Sequence, residues 1–328
     1  MTQPVSTERS DDGELINAGE SFPYFLYHHV FIRDVLPDGS TQTLQWQHWP
    51  VHDEWIADSL THKRLVHLKA RQLGESWYWA SWIAWHILFR DGWIAGMTSA
   101  GELEAVEFID KVRFVLTHLP YAAPVTIEPD NVLLLGIPAT QSRVMGFPST
   151  AKAGRGFNFN FFLADEAAFH PFAQEAYASY EAATEYGQIT IVSSAGDAER
   201  QVTNDFFRRL YMGAPDNGFE ARFYPWSARP GRDAAWYNER KARLSQREGQ
   251  MLREYPSCVT AQTMVSTELG IIPIEVAAGA KETESGPIVA WGPQTASRIY
   301  RLTTAGGREL RGTHDHPVSL TDGTMVGL

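Results

Sequence analysis

Cysteine, excess positive charge and long apolar runs are all scarce in this 328-residue sequence. Its one cysteine, Cys258, excludes an internal disulfide framework and fits a reducing compartment. The net charge of −11 argues against a surface covered with basic residues for general nucleic-acid binding. The longest apolar run, Trp77 to Phe89, is shorter than the roughly 20 residues that a membrane span needs. Residues 1 to 20 lack the basic start and apolar core of a signal peptide, so neither membrane insertion nor secretion is indicated.

Hydrophobic residues, by contrast, make up 44% of the chain, which is enough for a sizeable core and for about two domains. The polar and acidic residues 1 to 20 are expected to be disordered, and the turn at 36–40 predicts a small hairpin. Together they form an N-terminal arm over residues 1–40. From Leu65 to Val192, apolar runs with strand character alternate with helical spacing. This alternation predicts an α/β domain with a mainly parallel sheet, helices on both faces, and a ligand site at the carboxyl ends of the strands.

The stretch that follows the apolar run 65–68 has the residues of a phosphate-binding loop. Such a loop needs N–H groups at a helix N-terminus, a glycine where the backbone passes close to the anion, and a hydroxyl that reaches Mg²⁺. Gly74 and Ser76 supply the last two, while Glu75 stands where the usual motif has lysine and would place a carboxylate near a triphosphate. An ordinary strand-to-helix turn is the alternative interpretation. The candidate loop comprises Lys69, Ala70, Arg71, Gln72, Leu73, Gly74, Glu75 and Ser76.

Two later strand ends carry polar residues that suit the same chemistry. Asp165 and Glu166 end the apolar run that begins at Phe159. In a magnesium-dependent NTPase, such an aspartate holds Mg²⁺ and the adjacent glutamate orients and deprotonates the attacking water. Small residues after the strand 188–192 are placed to sense the γ-phosphate and to pass the change to a neighbouring segment; they are Ser193, Ser194, Ala195 and Gly196. The alternatives are a surface acidic pair and a plain turn.

Four segments taken together resemble the ATPase domain of large terminase subunits from tailed DNA phages, over roughly residues 22–257. They are residues 69–77, 163–169, 193–196 and 253–256. The resemblance implies a P-loop NTPase fold of the ASCE type for residues 41–257, with ATP and Mg²⁺ as cofactors. It also implies ATP hydrolysis that is coupled to DNA translocation. Many members of this family carry the loop lysine at the beginning of the loop, where this sequence has Lys69.

The resemblance further assigns roles to the charged and hydroxyl residues of the candidate site. Lys69 and Arg71 would bind the triphosphate. Ser76 and Asp165 would hold the magnesium ion. Glu166 would be the catalytic base.

Two other residues receive roles from the resemblance alone. Trp49 lies in the segment 46–52, where the family has its adenine-contacting aromatic and glutamine motif, although no glutamine follows Pro50 at the expected spacing. Arg155 corresponds to an arginine that in some terminases acts across a subunit boundary. A planar cation that arrives late suits the charge of the transition state on the γ-phosphoryl group. A loop arginine with a local partner is the alternative.

The partners implied by the resemblance are double-stranded DNA, the portal protein, the small terminase subunit and further copies of the chain in a ring. The implied location is the host cytoplasm, and transiently the portal of the procapsid. The stretch from Arg229 to Arg253 is the best candidate for a basic patch, or else a solvated helix face with paired charges. The alternative functions are a helicase-like P-loop ATPase and a nucleotide-binding assembly protein that does not hydrolyse ATP.

The chain changes character at Cys258, where the sequence resembles the N-terminal splicing block of an intein. Residues 307–318 resemble the second block of that family, with its Thr-x-x-His pattern. A thiol at the first residue can attack the carbonyl of Ser257 and convert an amide into a thioester. His316 can protonate the departing nitrogen, and the Thr313 hydroxyl can hold the strained peptide. A lone buried cysteine with an unrelated histidine is the alternative.

Residues 258–328 are thus expected to form the first part of an all-β Hint domain, which is incomplete. No His-Asn pair followed by Cys, Ser or Thr occurs after Val318, and no nuclease domain follows the ATPase domain. We expect either a truncated reading frame or one half of a split intein that a companion chain completes; the short length of 258–328 favours truncation. Protein splicing would need the missing intein half.

Overall fold

The computed structural model describes residues 11–36, 38–121, 124–195, 206–244 and 254–255, together with short strands between residues 264 and 327. Four residues with predicted roles lie outside the described residues, namely Gly196, Cys258, Thr313 and His316. Among the helices of the described ranges, none combines the length and the apolar character that a bilayer crossing requires.

The N-terminal arm contains more structure than the sequence predicts. It consists of α1 (Asp11–Glu20), α2 (Phe22–His29), β1 (Phe31–Val35) and β2 (Thr41–Gln45). β1 and β2 form the expected antiparallel hairpin. The expectation of disorder is wrong for residues 11–20, because Ala18 is buried and its carbonyl accepts a hydrogen bond from Trp85 Nε1 at 2.7 Å.

The following region forms one large sheet with helices between its strands. The sheet order is β10-β3-β9-β8-β4-β7-β6-β5, and the pairs from β10 through β7 are all parallel. The predicted α/β fold with a mainly parallel sheet is therefore confirmed. The elements in chain order are α3 (Pro50–Thr61), β3 (Arg64–Lys69), α4 (Glu75–Phe89), β4 (Ile94–Ser99), α5 (Glu102–Thr117), β5 (Asp130–Asn131), β6 (Leu134–Ile137), β7 (Ser142–Pro148), β8 (Phe161–Asp165), α6 (Ala173–Ala183), β9 (Gln188–Ser193), α7 (Phe206–Met212), β10 (Glu220–Tyr224) and α8 (Ala234–Leu244).

Alternation along β8 explains why both faces of the sheet are covered. Phe161 and Leu163 join the hydrophobic cluster that contains α4 and α5. Phe162 and Ala164 join a second cluster, which contains α6 and α7. Successive side chains of a strand point to opposite faces, so a strand that is apolar at every position is buried on both.

From the sequence, Ser99 is expected to cap the helix after β4, and Leu103, at helical spacing with Ile109 and Val112, is expected on its apolar face. Both details are wrong. Ser99 stays in β4, paired with Pro148 of β7, and the N-cap residue of α5 is Gly101. Leu103 was expected on the buried face but is 78% exposed, because the helix turns Ala105 and Phe108 towards the core instead.

The described part of residues 258–328 consists of short strands in antiparallel pairs. Its identity as a Hint domain stays a prediction. The strands are β11 (Met264–Thr267), β12 (Gly270–Pro273), β13 (Glu282–Thr283), β14 (Gly286–Pro287), β15 (Tyr300–Thr303), β16 (Glu309–Gly312), β17 (Pro317–Ser319) and β18 (Met325–Gly327).

Gly96 in β4 tests how closely the central strands pack. A Cβ atom at this position would lie 2.5 Å from the ring of Phe162 and 2.9 Å from that of Phe159. We therefore expect Gly96→Ala to lower the free energy of unfolding by about 1–3 kcal/mol, the usual cost of overpacking a core. Chemical denaturation of the two proteins measures this difference.

The matched control for Gly96→Ala is Gly101→Ala. There the added Cβ meets the end of the flexible Glu104 side chain, and the backbone φ of −147° suits alanine. Alanine is a poorer N-cap than glycine, so this control should lose about 0.5 kcal/mol, less than Gly96→Ala. Equal losses in the two variants would contradict the packing argument.

Candidate active site

The predicted site residues converge because three parallel strands end at the same edge of the sheet. β9 lies between β3 and β8, with Leu68 of β3 paired with Ser193 and Ala164 of β8 paired with Ile191. The residues that follow these strands therefore meet beyond their carboxyl ends. They belong to the loop 69–76, the Asp165–Glu166 pair and the segment 193–195.

The loop 69–76 has the backbone of an anion cradle. Gly74 caps α4 with a φ of 85°, a conformation that glycine adopts without strain. Gln72 also has a positive φ, of 60°. α4 begins at Glu75, and the first N–H groups of a helix lack intrahelical acceptors and carry the positive end of its dipole. Gly74 and the start of α4 thus present N–H groups where a phosphate would bind.

Lys69 ends β3 and forms an ion pair with Glu166, at 3.3 Å between Nζ and Oε1. The lysine side chain is only 6% exposed. Burial would lower the pKa of Lys69, but the carboxylates of Glu166 and Asp165 outweigh it and raise the pKa above its ordinary value. Burial would likewise raise the pKa of Glu166, but the charges of Lys69 and Arg71 hold it below its ordinary value. Both members of the pair are therefore charged at neutral pH.

Asp165 faces the start of α4, where Ser76 Oγ donates to its Oδ2 at 2.9 Å. Burial and the neighbouring charge of Glu166 raise the pKa of Asp165 to about 6. The charge of this carboxylate is poorly compensated, and a hydroxyl lies next to it. In phosphoryl-transfer sites Mg²⁺ binds such carboxylate and hydroxyl oxygens together with phosphate oxygens, so these residues fit a magnesium site.

Glu166 is held in place by the end of β9. Its backbone adopts a left-handed conformation with a φ of 52°, which is uncommon outside glycine. Its Oε2 accepts from the backbone N–H of Ser194 at 3.5 Å and from the hydroxyl at 3.4 Å. Ser193 Oγ accepts from the backbone N–H of Ala168, in the turn after Glu166. The segment after β9 therefore contacts the glutamate directly.

The expected position of the Glu75 carboxylate near the triphosphate is wrong. The side chain is fully buried and turned into the core, where Oε1 lies 2.5 Å from His67 Nδ1 and 3.1 Å from Trp79 Nε1. The cause is the strand before the loop, because His67 faces the same side of the sheet as α4 and supplies a donor there. Nothing in the loop sequence itself indicates this partner.

The first residues of the loop are tied to later parts of the chain. The Ala70 N–H donates to the Tyr224 carbonyl at 2.8 Å, and the Arg71 N–H donates to the Glu254 carbonyl at 2.9 Å. The Arg71 side chain also forms an ion pair with the Glu254 carboxylate, while remaining half exposed. These two N–H groups therefore hold the loop and do not face a phosphate, and Leu73 contributes a side chain to the core.

Two arginines of the candidate basic patch, which the sequence does not assign to the nucleotide site, contact the loop carbonyls. Arg232 Nη1 donates to the Arg71 carbonyl and Arg229 Nη1 to that of Gln72, each at 2.9 Å. The guanidinium of Arg229 also lies 5.4 Å from the ring centre of Trp49. Burial and the neighbouring charge of Arg229 lower the pKa of Arg232 to about 10. Both arginines fall in the basic stretch 229–253. Because Arg232 is buried against the loop, it belongs neither to a solvated helix face nor to a DNA-facing patch.

Trp49 is the N-cap residue of α3 and is stacked on His52, with ring centres 5.2 Å apart. Through Arg229 it lies beside the loop, as an aromatic at the base of a nucleotide would. Arg155 differs from the other candidates. It lies in an exposed turn between β7 and β8. Within the described part of the chain, its side chain makes no contact with the other site residues.

The family of the chain follows from its sequence over this same region. Residues 66–239 match the family of the terminase large subunit, T4likevirus-type, N-terminal, and this span is more than half of the chain. The chain belongs to the large terminase subunit family. A search of curated proteins gives no match to this terminase chain.

Solved structures of other terminases resemble this terminase chain. The HK97 bacteriophage large terminase has a TM-score of 0.53 and 14% sequence identity, over 75% of this chain and 57% of that chain. The Thermus phage P74-26 large terminase ATPase domain has a TM-score of 0.48 and 18% identity, over 64% and 93% of the two chains. The large terminase of a second thermophilic bacteriophage, in complex with ADP, has a TM-score of 0.44 and 10% identity, over 67% and 58%. At 14% identity, the likeness to the HK97 protein concerns the fold.

The raised pKa of Asp165 predicts that, without magnesium, the free energy of unfolding depends on pH. In the unfolded chain the carboxyl titrates near 3.8, and in the fold near 6, so the folded state binds more protons between these values. The free energy of unfolding should therefore fall as the pH rises through this window. Asp165→Asn cannot ionise and should be more stable than the wild type at pH 8 by about 1–3 kcal/mol.

Urea denaturation in chelating buffer at pH 4.5 and pH 8 measures this difference. The gain from Asp165→Asn should shrink at the lower pH. Asp91→Asn, at an exposed position, is the matched control and should leave the pH dependence unchanged. A stability gain from Asp165→Asn that is the same at both pH values would show that ionisation of this carboxyl is not its cause.

Proposed function

We propose that this chain is the ATP-hydrolysing motor subunit of a phage DNA-packaging terminase. The observation that carries the proposal is the meeting of Lys69, Ser76, Asp165 and Glu166 at one edge of a parallel sheet. A strand lies between the loop strand β3 and the carboxylate strand β8, as in the ASCE class of P-loop NTPases. Membership of the large terminase family supports the same assignment.

The loop 69–76 binds the triphosphate in this proposal. N–H groups at the start of α4 meet the phosphate oxygens, and Lys69 supplies a positive charge from the strand side. Ser76 and Asp165 would hold Mg²⁺, which when bound neutralises charge on the phosphate oxygens. Arg229 contacts the loop carbonyl of Gln72 and lies beside the Trp49 ring, and in this proposal Trp49 meets the base.

Glu166 acts as the general base that accepts a proton from the attacking water. Without nucleotide it is paired with Lys69, and this pairing lowers its pKa and its basicity. A bound γ-phosphate competes for the lysine charge, so the pair loosens and the pKa of Glu166 rises towards that of an effective base. Ser194 keeps the carboxylate oriented meanwhile.

The contacts of Ser193 and Ser194 suit a coupling role for residues 193–196. Any movement of Glu166 on binding or hydrolysis changes the hydrogen bonds that these two residues make. Such a change at a strand end can be passed to the segment that follows. Gly196 lies outside the described residues, and its part in this coupling is a prediction from the sequence.

Arg155 is proposed to act on the nucleotide of a neighbouring copy. Its turn is exposed to solvent, which suits a cation that completes a site across a subunit boundary. The remaining parts of the motor proposal rest on the family: double-stranded DNA as substrate of translocation, the portal protein and small terminase subunit as partners, a homo-oligomeric ring, and action in the host cytoplasm at the procapsid portal.

Glu166→Gln and Lys69→Ala test the two halves of the ATPase assignment. Glu166→Gln removes the base but not the phosphate contacts, so kcat should fall by about 10²- to 10⁴-fold while binding of a fluorescent ATP analogue is retained. Lys69→Ala should abolish both binding and turnover. Phosphate release and fluorescence titration measure the two quantities.

Matched controls lie near the two residues in the sequence. Lys63→Ala changes an exposed lysine just before β3, and Glu175→Gln changes an exposed glutamate on α6. Both should behave as the wild type. An unchanged rate in Lys69→Ala would contradict the phosphate assignment. A wild-type chain that binds ATP without hydrolysing it, even with portal and DNA, would favour a non-hydrolysing assembly protein.

We also propose, from the sequence alone, that Cys258 begins an intein. The support is the order of Cys258, Thr313 and His316 in the two splicing-block patterns; all three lie outside the described residues. Attack of the Cys258 thiol on the Ser257 carbonyl would form a thioester, and a thiol in solution would then cleave it.

If the intein fragment folds or meets its companion chain, incubation with dithiothreitol should therefore release a fragment that ends at Ser257, which mass spectrometry identifies. Cys258→Ala removes the nucleophile and should prevent the cleavage. His316→Ala should slow it, because the departing nitrogen then lacks its proton donor. Cleavage that persists in Cys258→Ala would refute the intein assignment.

A further inference from the structure

Glu75 occupies a position where a carboxylate conflicts with phosphate binding. It is the first residue of α4 and adjoins Ser76, which contacts the magnesium candidate Asp165. A free carboxylate at a helix N-terminus is attracted to the same N–H groups that a phosphate would use. It would also be drawn to Lys69, whose pKa the Glu75 charge helps to raise. A loop with glutamate here therefore needs a means of keeping that carboxylate away.

The Glu75 carboxylate is held by two donors on the core side of the loop. Oε1 accepts from Trp79 Nε1, one helical turn along α4, and lies 2.5 Å from Nδ1 of His67 on β3. An ionised carboxylate only accepts hydrogen bonds, so with Glu75 charged the hydrogen between its Oε1 and Nδ1 belongs to His67. The other two polar atoms, Glu75 Oε2 and His67 Nε2, are buried and have no hydrogen-bond partner among the described residues.

The position of His67 beside Glu75 is fixed by its surroundings. It lies two residues before Lys69 on β3, on the same face of the sheet, and it is fully buried between the rings of Trp79 and Tyr224. Strand pairing to β9 and β10 fixes its backbone, since it is opposite Val192 on one side and Arg222 on the other. The donor that meets Glu75 is thus rigid.

We propose that His67 is a positioning residue for nucleotide binding, which sequesters the Glu75 carboxylate in the core and so leaves Lys69 and the loop N–H groups to the phosphates. This role rests on the nucleotide site proposed above. Without His67, Glu75 would keep only the Trp79 donor. Its buried charge would then be poorly compensated, and the loop and Lys69 would offer it the nearest alternative partners.

The test separates the charge of Glu75 from the packing of His67. His67→Phe keeps an aromatic ring between Trp79 and Tyr224 but removes the donor, and Glu75→Gln removes the charge. Binding of a fluorescent ADP analogue with Mg²⁺ is titrated for the full-length wild type, each single variant and the double variant. His67→Phe should weaken binding by about tenfold or more, and the double variant should return to within about threefold of Glu75→Gln.

A structural role for His67 predicts the opposite result. If its contribution were packing, the double variant would bind as weakly as His67→Phe or more weakly, and this outcome would overturn the proposal. His67→Asn, whose amide can donate near the Nδ1 position, should bind ADP as the wild type does. If His67→Phe fails to fold, His67→Gln replaces it, since its amide lies farther out and does not match the Nδ1 position; the same rescue by Glu75→Gln is expected.

Lys69→Ala distinguishes failure of the site from failure of this role. It should lose ADP binding whatever residue stands at position 75. A wild type that does not bind ADP would overturn the nucleotide site and the role of His67 with it. ADP binding by the wild type, together with no rescue of His67→Phe by Glu75→Gln, would overturn the role of His67 alone.

Discussion

Parallel pairing of β3, β9 and β8 is the constraint on which the candidate site depends. Each strand is buried on both faces and contributes apolar side chains to both hydrophobic clusters, so its register is fixed by two clusters at once. A slip of β8 by one residue would exchange the faces of Phe161 and Phe162 and would move Asp165 away from Ser76. The positions of the polar groups at the edge are therefore set by the packing of apolar groups below them.

The charges at this edge are distributed among three carboxylates and one buried lysine. Glu166 is paired with Lys69, and Glu75 is paired with His67. Among the described residues, Asp165 accepts from a serine hydroxyl and one backbone N–H, and burial together with the charge of Glu166 raises its pKa. Of the three carboxylates, Asp165 is thus the one whose negative charge is least compensated in the absence of ligands. The resemblance to terminases implies a magnesium ion at this residue. In our proposal, nucleotide binding changes the partner of Lys69 and thereby the basicity of Glu166.

The loop is also shaped by residues far from it in sequence. The carbonyls of Arg71 and Gln72 accept from Arg232 and Arg229, and two of the loop N–H groups donate to the carbonyls of Tyr224 and Glu254. These contacts direct the first half of the loop towards protein and leave its second half, from Gly74 onward, to a ligand. A carbonyl that faced the phosphates would repel them, so in our proposal the arginine contacts with these carbonyls favour phosphate binding.

The sequence by itself determined the fold class, the alternation of strands and helices over residues 65–192, and which polar residues follow the strands. These properties depend on local periodicity and on the rule that parallel strands present their carboxyl ends together. The sequence also predicted that Lys69, Ser76 and the Asp165–Glu166 pair would be neighbours, and the structure brings them together. The disorder expected for residues 11–20 failed because the helix there depends on a distant contact with Trp85.

Only the tertiary structure decided which way the loop side chains turn and what holds them. Glu75 reads in sequence as a phosphate-facing residue, yet it points to the core because the adjacent strand presents His67 on the α4 side. The sequence around Arg232 predicts a surface cation. The side chain is instead buried against the loop, where it contacts Arg71, 161 residues earlier in the sequence. Such contacts depend on which faces of different elements pack together, and local sequence patterns do not predict that packing.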